Sequence, residues 1–541
     1  MSYGEGDDAG PSVLSGARSG RPDTLLKVAA IGALAAMLLA GCGGGGGSDG
    51  VTLPASAGQG ENPAASGGTP DVIQASELSA NLCSAPRTGI DPATRRPYPD
   101  RQGTYADEKN WLRAWIDETY LWYDEIPSSI RVVNYATPQA LFADLRSTAL
   151  TPSDKRRDRF HFTYDTAVWQ ALNSAGIEAG YGFELAIVKS QPPREVRVAY
   201  TEPNTPAAAA GIARGARILM VDGVDVVTTV GVGALNAALF PSAAGQSHSF
   251  RLQELDGTVR TVLLVSAQIT KVPVQNVRTL DSTSGKVGYL LFNDHIATSE
   301  AQLVSAINRF KAEGVQDVVL DIRYNGGGTL AIASELAYMI AGSAATGGKA
   351  FERLQFNRKN PFGLSEADAS TGFQSTSLGL SVPDGQALPQ LGLPRVTVLT
   401  GPDTCSASES IINGLRGVNV QVNVIGNTTC GKPYGFIPRD NCGTTYFAIQ
   451  FKGVNNLGEG DYADGIAPTC TVGDDFGHAL GDPAEGRLAA GLAFRDSGKC
   501  PAVTMAGALQ SSVLATGEPL LSGKAPARTG RFLQPGAVSP R

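Results

Sequence analysis

The sequence predicts an α/β core preceded by a β-rich domain and a small N-terminal helical cap. From 271 to 503, nearly continuous apolar strands alternate with amphipathic helices, which is typical of βαβ units on a largely parallel sheet. From 176 to 270, short β-type segments are separated by glycine turns. From 81 to 175, tryptophans recur at helical spacing, which predicts the cap.

The first 42 residues have the parts of an export signal. Arg18 and Lys27 supply positive charge, residues 28–39 form an apolar run, and small residues precede Cys42. The run is too short for a comfortable membrane span. Its end, LAGC, resembles a bacterial lipobox, so we expect a lipoprotein of the bacterial cell envelope, facing the periplasm and anchored to the membrane through lipid on Cys42. An ordinary signal peptide and an uncleaved anchor helix are the alternatives.

Two stretches of low complexity flank the predicted domains. Residues 43–80 are rich in Gly, Ser, Ala and Pro and cannot bury a core, so we expect a flexible tether; residues 504–541 predict a disordered tail. The net charge is −7 with both signs dispersed and without a basic stripe. We therefore expect no nucleic-acid partner.

The cysteines predict disulfides, because an even number remains after Cys42 in a chain that we expect to be exported. They are Cys83, Cys405, Cys430, Cys442, Cys470 and Cys500. Sequence does not choose among the pairings. We expect Cys405 to pair with Cys430, since both flank the candidate site, and Cys83 to pair with Cys500 across the ends of the folded body. No C-x-x-C spacing indicates zinc, and we expect no metal. Cys405 as a nucleophile is an alternative without an obvious base beside it.

The predicted cap contains a helix over 106–127 and a second over 138–147. The first places Trp111, Trp115 and Trp122 on one face, which indicates an amphipathic helix that buries aromatic rings. An aromatic ligand cage is the alternative.

The β-rich region shows a specific order of turn, short helix, strand and hairpin turn. The helix is predicted over 206–210, the strand over 217–221, and the turn at Asp222-Gly223. The segment 180–184, GYGFE, opens the region, and a simple glycine turn is one interpretation of it.

The α/β core is predicted from seven alternating segments. They are strands over 288–292, 317–323, 396–400 and 420–425, and helices over 299–313, 330–341 and 406–416. Two polar segments, 321–328 with three consecutive glycines and 400–406, follow strands where a parallel sheet gathers its sites. A plain Asn-Gly turn is an alternative for the glycines, and a phosphate loop lacks the required G-K-[ST].

Ser406 opens a predicted helix, where the positive end of the helix dipole favours an alkoxide and a neighbouring oxyanion. A helix cap is the structural alternative for such a serine. A nucleophile also needs a base. The histidines are His161, His248, His295 and His478, and none lies in the glycine or serine segment. A Ser-His-Asp triad stays possible only through the fold.

Lys432 is the candidate base. Its neighbours, Cys-Gly before it and Pro-Tyr-Gly-Phe after it, carry no charge. If it is buried, desolvation disfavours the ammonium form and lowers its pKa. A solvated surface lysine is the alternative.

The motifs VVLDIRYNGGG, TCSASES, GNTTCGKPYG and YADGIAPTCTV resemble those of the C-terminal processing peptidases, or tail-specific proteases. The resemblance covers about 176–490 and includes the order of domains. It implies a crotonase-like α/β protease core preceded by a PDZ domain. It also implies a serine endopeptidase that needs no cofactor and that cleaves proteins or peptides with exposed C-terminal tails.

The resemblance assigns roles to residues of this chain. Ser406 would be the nucleophile and Lys432 its base, with oxyanion donors at the N–H groups of Ala407 and Gly327. In the PDZ-like domain, the loop Tyr181, Gly182 and Phe183 would bind the terminal carboxylate of a peptide that adds a strand to the sheet.

Two departures from the family pattern stand out. The Ser–Lys spacing is one residue longer than usual, and Phe436 stands where many relatives carry a glutamine. We expect Gln450 or Tyr446 to orient Lys432 instead. The alternative functions are a peptide- or lipid-binding lipoprotein that has lost catalysis and a scaffold that acts only through the PDZ-like domain.

Overall fold

The computed structural model describes residues 73–282, 284–502 and 531–532, the last pair by backbone alone. The predicted signal, Cys42 and most of the predicted tether and tail lie outside the described residues. The backbone N–H and hydroxyl of Ser76 both donate to Glu118, so the folded body begins before the predicted boundary at residue 80. None of the described helices combines the length and apolar character needed to cross a bilayer.

The cap is built around stacked tryptophans. Its elements are β1 (Leu82–Cys83), β2 (Arg101–Gln102), α1 (Tyr105–Thr119), α2 (Pro138–Asp144), β3 (Phe162–Asp165) and α3 (Thr166–Ala175). The rings of Trp111 and Trp115 stack with centroids 5.5 Å apart inside an aromatic core, which confirms core packing. The helix ends before Trp122, because Leu121 N–H donates to the carbonyl of Ile449 and draws the chain away.

The PDZ-like domain is an antiparallel sheet with two short helices. Its elements are β4 (Ile177–Gly180), β5 (Phe183–Lys189), β6 (Glu195–Thr201), α4 (Pro206–Ala209), β7 (Arg217–Val221), β8 (Val224–Asp225), α5 (Gly233–Leu239), β9 (Ser247–Gln253), β10 (Val259–Val265) and β11 (Ala267–Thr270). The main sheet has the order β10-β9-β7-β6-β5, so β5 lies at its edge. The predicted strand over 217–221 and the hairpin turn after it are confirmed.

The α/β core alternates strands and helices as predicted. Its elements are β12 (Val274–Ser282), β13 (Gly285–Phe292), α6 (Ser299–Ala312), β14 (Asp317–Asp321), β15 (Gly328–Thr329), α7 (Leu330–Thr346), β16 (Ala350–Phe356), β17 (Ser370–Gly372), β18 (Arg395–Thr400), α8 (Ala407–Arg416), β19 (Gln421–Gly426), β20 (Tyr434–Gly435), β21 (Arg439–Asn441), β22 (Thr444–Phe447), β23 (Phe451–Val454), β24 (Cys470–Thr471) and α9 (Gly486–Ser497). The backbone of α7 leaves helical geometry at Gly342, just past the predicted end.

The main sheet of the core has the order β12-β13-β14-β18-β19-β24. All neighbours pair in parallel except β12 with β13. The carboxyl ends of β14 and β18 therefore lie side by side, and the glycine and serine segments leave the sheet at the same edge.

The cap is joined to the core rather than separate from it. β3 pairs antiparallel with β22, in a small sheet of order β21-β22-β3. Aromatic residues from both regions, including Phe142 and Phe447, share one hydrophobic cluster with Cys405 and Phe436. The region that follows Lys432 is thus packed against the cap.

One predicted disulfide is confirmed and the other is wrong. Cys405 is bonded to Cys430, as expected. Cys83 is bonded to Cys442, and Cys470 to Cys500. Cys83 lies in β1, and Asn81 N–H donates to the side chain of Asn441, so the start of the folded body lies against the β21–β22 turn rather than against its C-terminal end.

The predicted tail contributes a short strand. Residues Arg531–Phe532 pair in parallel with Gly328–Thr329. The rest of that predicted tail, residues 504–530 and 533–541, lies outside the described residues.

Candidate active site

Ser406 lies immediately before α8, and its side chain is fully buried. Its φ of 60° and ψ of −114° lie outside the regions that residues other than glycine favour. Its hydroxyl has no hydrogen-bond partner among the described residues. An unusual backbone conformation together with a buried hydroxyl that has no hydrogen-bond partner points to function.

The neighbouring serines differ from Ser406 because their hydroxyls are bonded. The Ser408 hydroxyl donates to the carbonyl of Asn325 at 3.0 Å. The Ser410 hydroxyl donates to the carbonyl of Ser406 at 3.1 Å. These bonds agree with the choice of Ser406 rather than Ser408 as the candidate nucleophile.

Glu409 connects the serine segment to the lysine segment. Its carboxylate accepts the N–H groups of Ser406 at 2.8 Å, Gly431 at 2.8 Å and Lys432 at 2.9 Å. The Thr429 hydroxyl donates to it at 2.5 Å. Burial raises the pKa of Glu409, and these four donors oppose that rise. Sequence reasoning missed this residue, although Ser-x-x-Glu is the spacing of a capping box.

The disulfide between Cys405 and Cys430 is a second link between the two segments. The N–H of Cys430 also donates to the carbonyl of Thr404 at 3.0 Å. The sulfurs and a carboxylate oxygen of Glu409 lie within 4.8 Å of one another, which is close enough to hold a metal ion. However, a sulfur in a disulfide is not a thiolate ligand, so this group is not suited to a metal while the bond is intact.

Lys432 is fully buried, which excludes the surface alternative. Its Nζ lies 3.8 Å from the ring centroid of Phe436 and 4.7 Å from that of Phe160. Phe436, four residues after Lys432, thus presents a ring face to the amine.

The cap completes the surroundings of Lys432. Arg159 donates to the carbonyls of Cys430 at 2.7 Å and Gly431 at 3.2 Å, while Phe160 covers the amine. Sequence reasoning missed both cap residues. They are distant from Lys432 along the chain, and no motif marks them.

The two residues expected to orient Lys432 have other partners. The Gln450 amide accepts from Ile437 N–H at 2.6 Å and donates to the Thr119 hydroxyl at 3.2 Å. Tyr446 packs against Trp111 in the aromatic core of the cap. Both side chains therefore take part in the packing of the cap on the core, and an orienting role for Gln450 or Tyr446 stays a prediction.

The glycine loop is shaped by Asn325. Its side-chain oxygen accepts the N–H of Gly327 at 2.9 Å, and its amide donates to the carbonyl of Phe292 at 2.9 Å. The predicted donor at Gly327 is therefore already bonded in this conformation. Ala407 is the first residue of α8, so its N–H belongs to the helix-terminal donors that have no intrahelical acceptor.

His295 lies against the glycine loop, which its position in the sequence did not indicate. Its carbonyl accepts the N–H of Thr329 at 2.9 Å, and its Nδ1 lies 3.0 Å from the side-chain oxygen of Asn325. Burial lowers the pKa of His295 to about 3. Its imidazole is therefore neutral at pH 7 and a weak proton acceptor.

A buried ionic network supports the glycine loop from behind. Arg323 donates to Asp321 at 2.9 Å, to Asp474 at 2.9 Å and to Glu485 at 2.6 Å. Arg214 of the PDZ-like domain also donates to Asp474, at 2.7 Å. Burial alone would raise the pKa of Asp474, but the surrounding guanidinium groups hold it well below its usual value. The network links the PDZ-like domain to the strand that carries the loop.

The predicted carboxylate loop of the PDZ-like domain lies at the start of β5. The hydroxyl of Tyr181 donates to the carbonyl of Ala238 at 2.9 Å, so this ring is part of the domain core. Gly182 has a φ of 87°, and a Cβ there would lie 2.2 Å from Thr205. With Phe183, these residues line a cavity of about 550 Å³ beside β5.

Family models match three parts of the chain. Residues 286–470 match Peptidase family S41, residues 107–164 match the Peptidase S41 N-terminal domain, and residues 171–237 match the PDZ domain. The first match includes both Ser406 and Lys432, and the second includes Arg159 and Phe160.

Two known proteins are similar to larger parts of this chain. A carboxyl-terminal-processing protease of Picosynechococcus sp. is 29% identical over 233 residues, which are 42% of this chain and 49% of the relative. The match thus spans about half the length of that relative. A structure from Bacteroides fragilis, described as an S41 protease, is 22% identical with a TM-score of 0.55, and the match covers 74% of this chain and 98% of that chain. It supports the fold.

Proposed function

We propose that this chain is a serine endopeptidase of Peptidase family S41, in which Ser406 is the nucleophile and Lys432 is the general base. One observation carries the proposal. A buried serine hydroxyl without a partner is tied, through Glu409 and the disulfide at Cys405, to a segment that carries a buried lysine. Nucleophilic catalysis needs this pairing of an uncommitted hydroxyl with a nearby base.

The proposed reaction is acyl transfer to water. Ser406 Oγ attacks the peptide carbonyl while Lys432 accepts the hydroxyl proton, and the tetrahedral oxyanion forms beside the N–H of Ala407. Lys432 then donates the proton to the leaving amine as the C–N bond breaks. Water next attacks the acyl-enzyme while Lys432 takes one of its protons, and Lys432 returns that proton to Ser406 Oγ as the acyl C–O bond breaks. The N–H of Gly327 can become a second oxyanion donor once Asn325 releases it.

We propose that the PDZ-like domain captures the C-terminal tails of protein substrates. β5 lies at the edge of its sheet, beside a cavity and a left-handed glycine, which is the arrangement that β-strand addition uses. Binding there would bring a tail close to the core, to which Arg214 connects the domain.

The catalytic proposal is tested by cleavage of casein and of a peptide with an apolar C-terminal tail. The unmodified chain should cleave both, while Ser406→Ala and Lys432→Ala should each lower the rate of cleavage by about 1000-fold. Matched controls are Ser497→Ala and Lys311→Ala, at exposed positions of α9 and α6. Cleavage by either site variant at a rate close to that of the unmodified chain would overturn the assignment of that residue.

A catalytically inactive peptide-binding protein is the second candidate. Phe436 favours it, because a ring face 3.8 Å from the amine stabilises the ammonium form, which is not a base. Binding of tail peptides without any cleavage by the unmodified chain would support this second candidate.

We also propose that the chain is a lipoprotein of the bacterial cell envelope. The composition of residues 1–42 and the LAGC sequence ending at Cys42 support this. Expression in a bacterium with labelled palmitate should label the chain, and Cys42→Ser should remove the label; label on the variant would contradict the proposal.

A further inference from the structure

A cavity of about 550 Å³ lies where the PDZ-like domain meets the cap. Phe183 and Leu185 of β5 form one side with Leu239 of α5, and Val168 and Leu172 of α3 form the other. A peptide that added a strand to β5 would pass through this space.

One wall of the cavity carries an excess of negative charge. Glu178, Glu184 and Glu202 line it, whereas Lys271 is the one cation among the described lining residues. Lys271 Nζ lies 3.3 Å from Glu178 and 4.0 Å from Glu184, and it also pairs with Asp294 at 3.5 Å. The one ammonium group of Lys271 is therefore shared by several carboxylates and cannot neutralise all of their charge.

Glu202 is a carboxylate of this wall whose hydrogen bonding is incomplete. It is only 3% exposed. Its Oε2 accepts the N–H of Val272 at 3.2 Å and the amide of Gln275 at 2.9 Å. Its Oε1 is buried and has no hydrogen-bond partner among the described residues. Such an oxygen is costly to leave without a donor, so a ligand that donates to it would gain affinity.

The ionisation of Glu202 is consistent with this incomplete environment. Burial raises its pKa to about 6, against the opposing effect of Lys271. A ligand cation placed beside Oε1 would favour the ionised carboxylate and would be attracted by it.

Glu202 is also connected to the predicted carboxylate loop. Its N–H donates to the carbonyl of Gly182 at 2.7 Å. The same cavity presents apolar side chains, including Leu239 and Ile269. A long side chain with an aliphatic stem and a charged head matches this combination, because the stem covers apolar surface while the head reaches the carboxylates.

We infer that this cavity is a specificity pocket for a lysine or arginine side chain near the C-terminus of a bound peptide, with Glu202 contacting the cationic head. The inference rests on the proposed capture of tails by the PDZ-like domain. A bare metal cation suits the wall less well, because the ammonium group of Lys271 already lies among the carboxylates and would repel it.

Direct binding of peptides to the full chain carrying Ser406→Ala tests the inference. Fluorescent ten-residue peptides with an apolar C-terminus would carry lysine at each of the last five positions in turn, and matched peptides would carry glutamine. We expect lysine to improve affinity at least tenfold over glutamine at one position, measured by fluorescence anisotropy. Glu202→Gln should reduce that preference to less than twofold without weakening the glutamine peptides.

Glu254→Gln is the matched control, because Glu254 belongs to the same domain, pairs with Arg260 and does not line the cavity. It should keep the full lysine preference. Thermal melting checks that each variant is folded. If Glu202→Gln fails to fold, Glu178→Gln replaces it and should reduce the preference at the same peptide position.

Equal binding of lysine and glutamine peptides at all five positions would overturn the inference. So would a lysine preference that survives Glu202→Gln, or failure of every peptide to bind. The measurement needs no cleavage. The two proposals can therefore fail separately. If the unmodified chain cleaves nothing but the Ser406→Ala chain prefers lysine peptides, the catalytic proposal is contradicted and the pocket remains supported.

Discussion

The serine–lysine region and the PDZ-like groove, which is the cavity beside β5, each hold a buried oxygen without a hydrogen-bond partner, but they differ in what surrounds it. Around Ser406 Oγ, the backbone on both sides is held in place by Glu409, which alone accepts four hydrogen bonds. In the groove, an oxygen of the buried Glu202 has no donor. The serine–lysine region is therefore held in place before a ligand binds, whereas in the groove we expect a bound ligand to supply the missing donor to Glu202. Substitutions in the first should therefore change kcat, and substitutions in the second should change KM.

The largest expected effect separates Lys432 from His295 as the base. Lys432→Ala should lower kcat by about 1000-fold, since a general base contributes ~10²–10⁴-fold. His295→Gln should lower it less than about tenfold, because the histidine pKa of about 3 makes it a poor proton acceptor at pH 7. Steady-state cleavage of a short peptide measures both. The reverse order of effects would assign the base to His295.

The next largest effect concerns the link between the two segments. Glu409→Gln keeps the shape of the side chain but removes the charge that strengthens its hydrogen bonds. We expect kcat to fall about 100-fold and the free energy of unfolding to fall by ~2–3 kcal/mol, as for hydrogen bonds to charged groups. Kinetics and denaturant unfolding measure the two. Glu313→Gln, at the half-buried residue that follows α6, removes a carboxylate paired with Arg309 near the surface; it is the control and should leave kcat unchanged and cost less than about 1 kcal/mol of unfolding free energy. Unchanged kcat in Glu409→Gln would show that the link is only structural.

Two of the disulfides provide a matched pair of double variants with expected effects of intermediate size. Cys405→Ser with Cys430→Ser opens the bond beside the candidate dyad, and Cys470→Ser with Cys500→Ser opens a bond that closes a loop of similar length. Each double variant should lose about 3 kcal/mol of unfolding free energy. Only the first should also lower kcat, by about fivefold at a temperature where both are folded. Equal kcat in the two variants would mean that the bond does not position the dyad.

The smallest expected effect lies in the groove. Gly182→Ala introduces a Cβ 2.2 Å from Thr205 at a φ of 87°, so the loop must shift. KM for a protein substrate with a C-terminal tail should rise about fivefold, while kcat for a short peptide without that tail should stay unchanged. Gly223→Ala, in the β7–β8 turn where a Cβ meets no atom within 4 Å, controls for general strain at positive φ. A fall in kcat for both substrates would show that the groove is not separable from the dyad.

Local patterns predicted much of this fold because they act over short stretches of chain. The strand Arg217–Val221 and the start of α8 next to Ser406 follow from turn and helix signals within a few residues. The confirmed disulfide between Cys405 and Cys430 also joins segments that the motifs had already placed together.

The rest depended on contacts between distant segments. Cys83 pairs with Cys442 because the start of the folded body lies against the β21–β22 turn, and no spacing in the sequence records that contact. The ring of Phe160 lies over Lys432 through another contact between segments that are distant in sequence. Gln450 was expected to orient Lys432 because of its position on the following strand, but its amide donates to the Thr119 hydroxyl and accepts from Ile437 N–H. Glu409 was the exception, since its capping-box spacing was visible in the sequence.

The contacts of the cap with the lysine segment have a consequence for the order of synthesis. Arg159 binds the carbonyl of Cys430 across a separation of 271 residues. During translation the cap leaves the ribosome long before Lys432 is made. Arg159 therefore has no Cys430 carbonyl to bind until most of the chain has been synthesised. The surroundings of Lys432 can therefore form only late in the synthesis of each molecule.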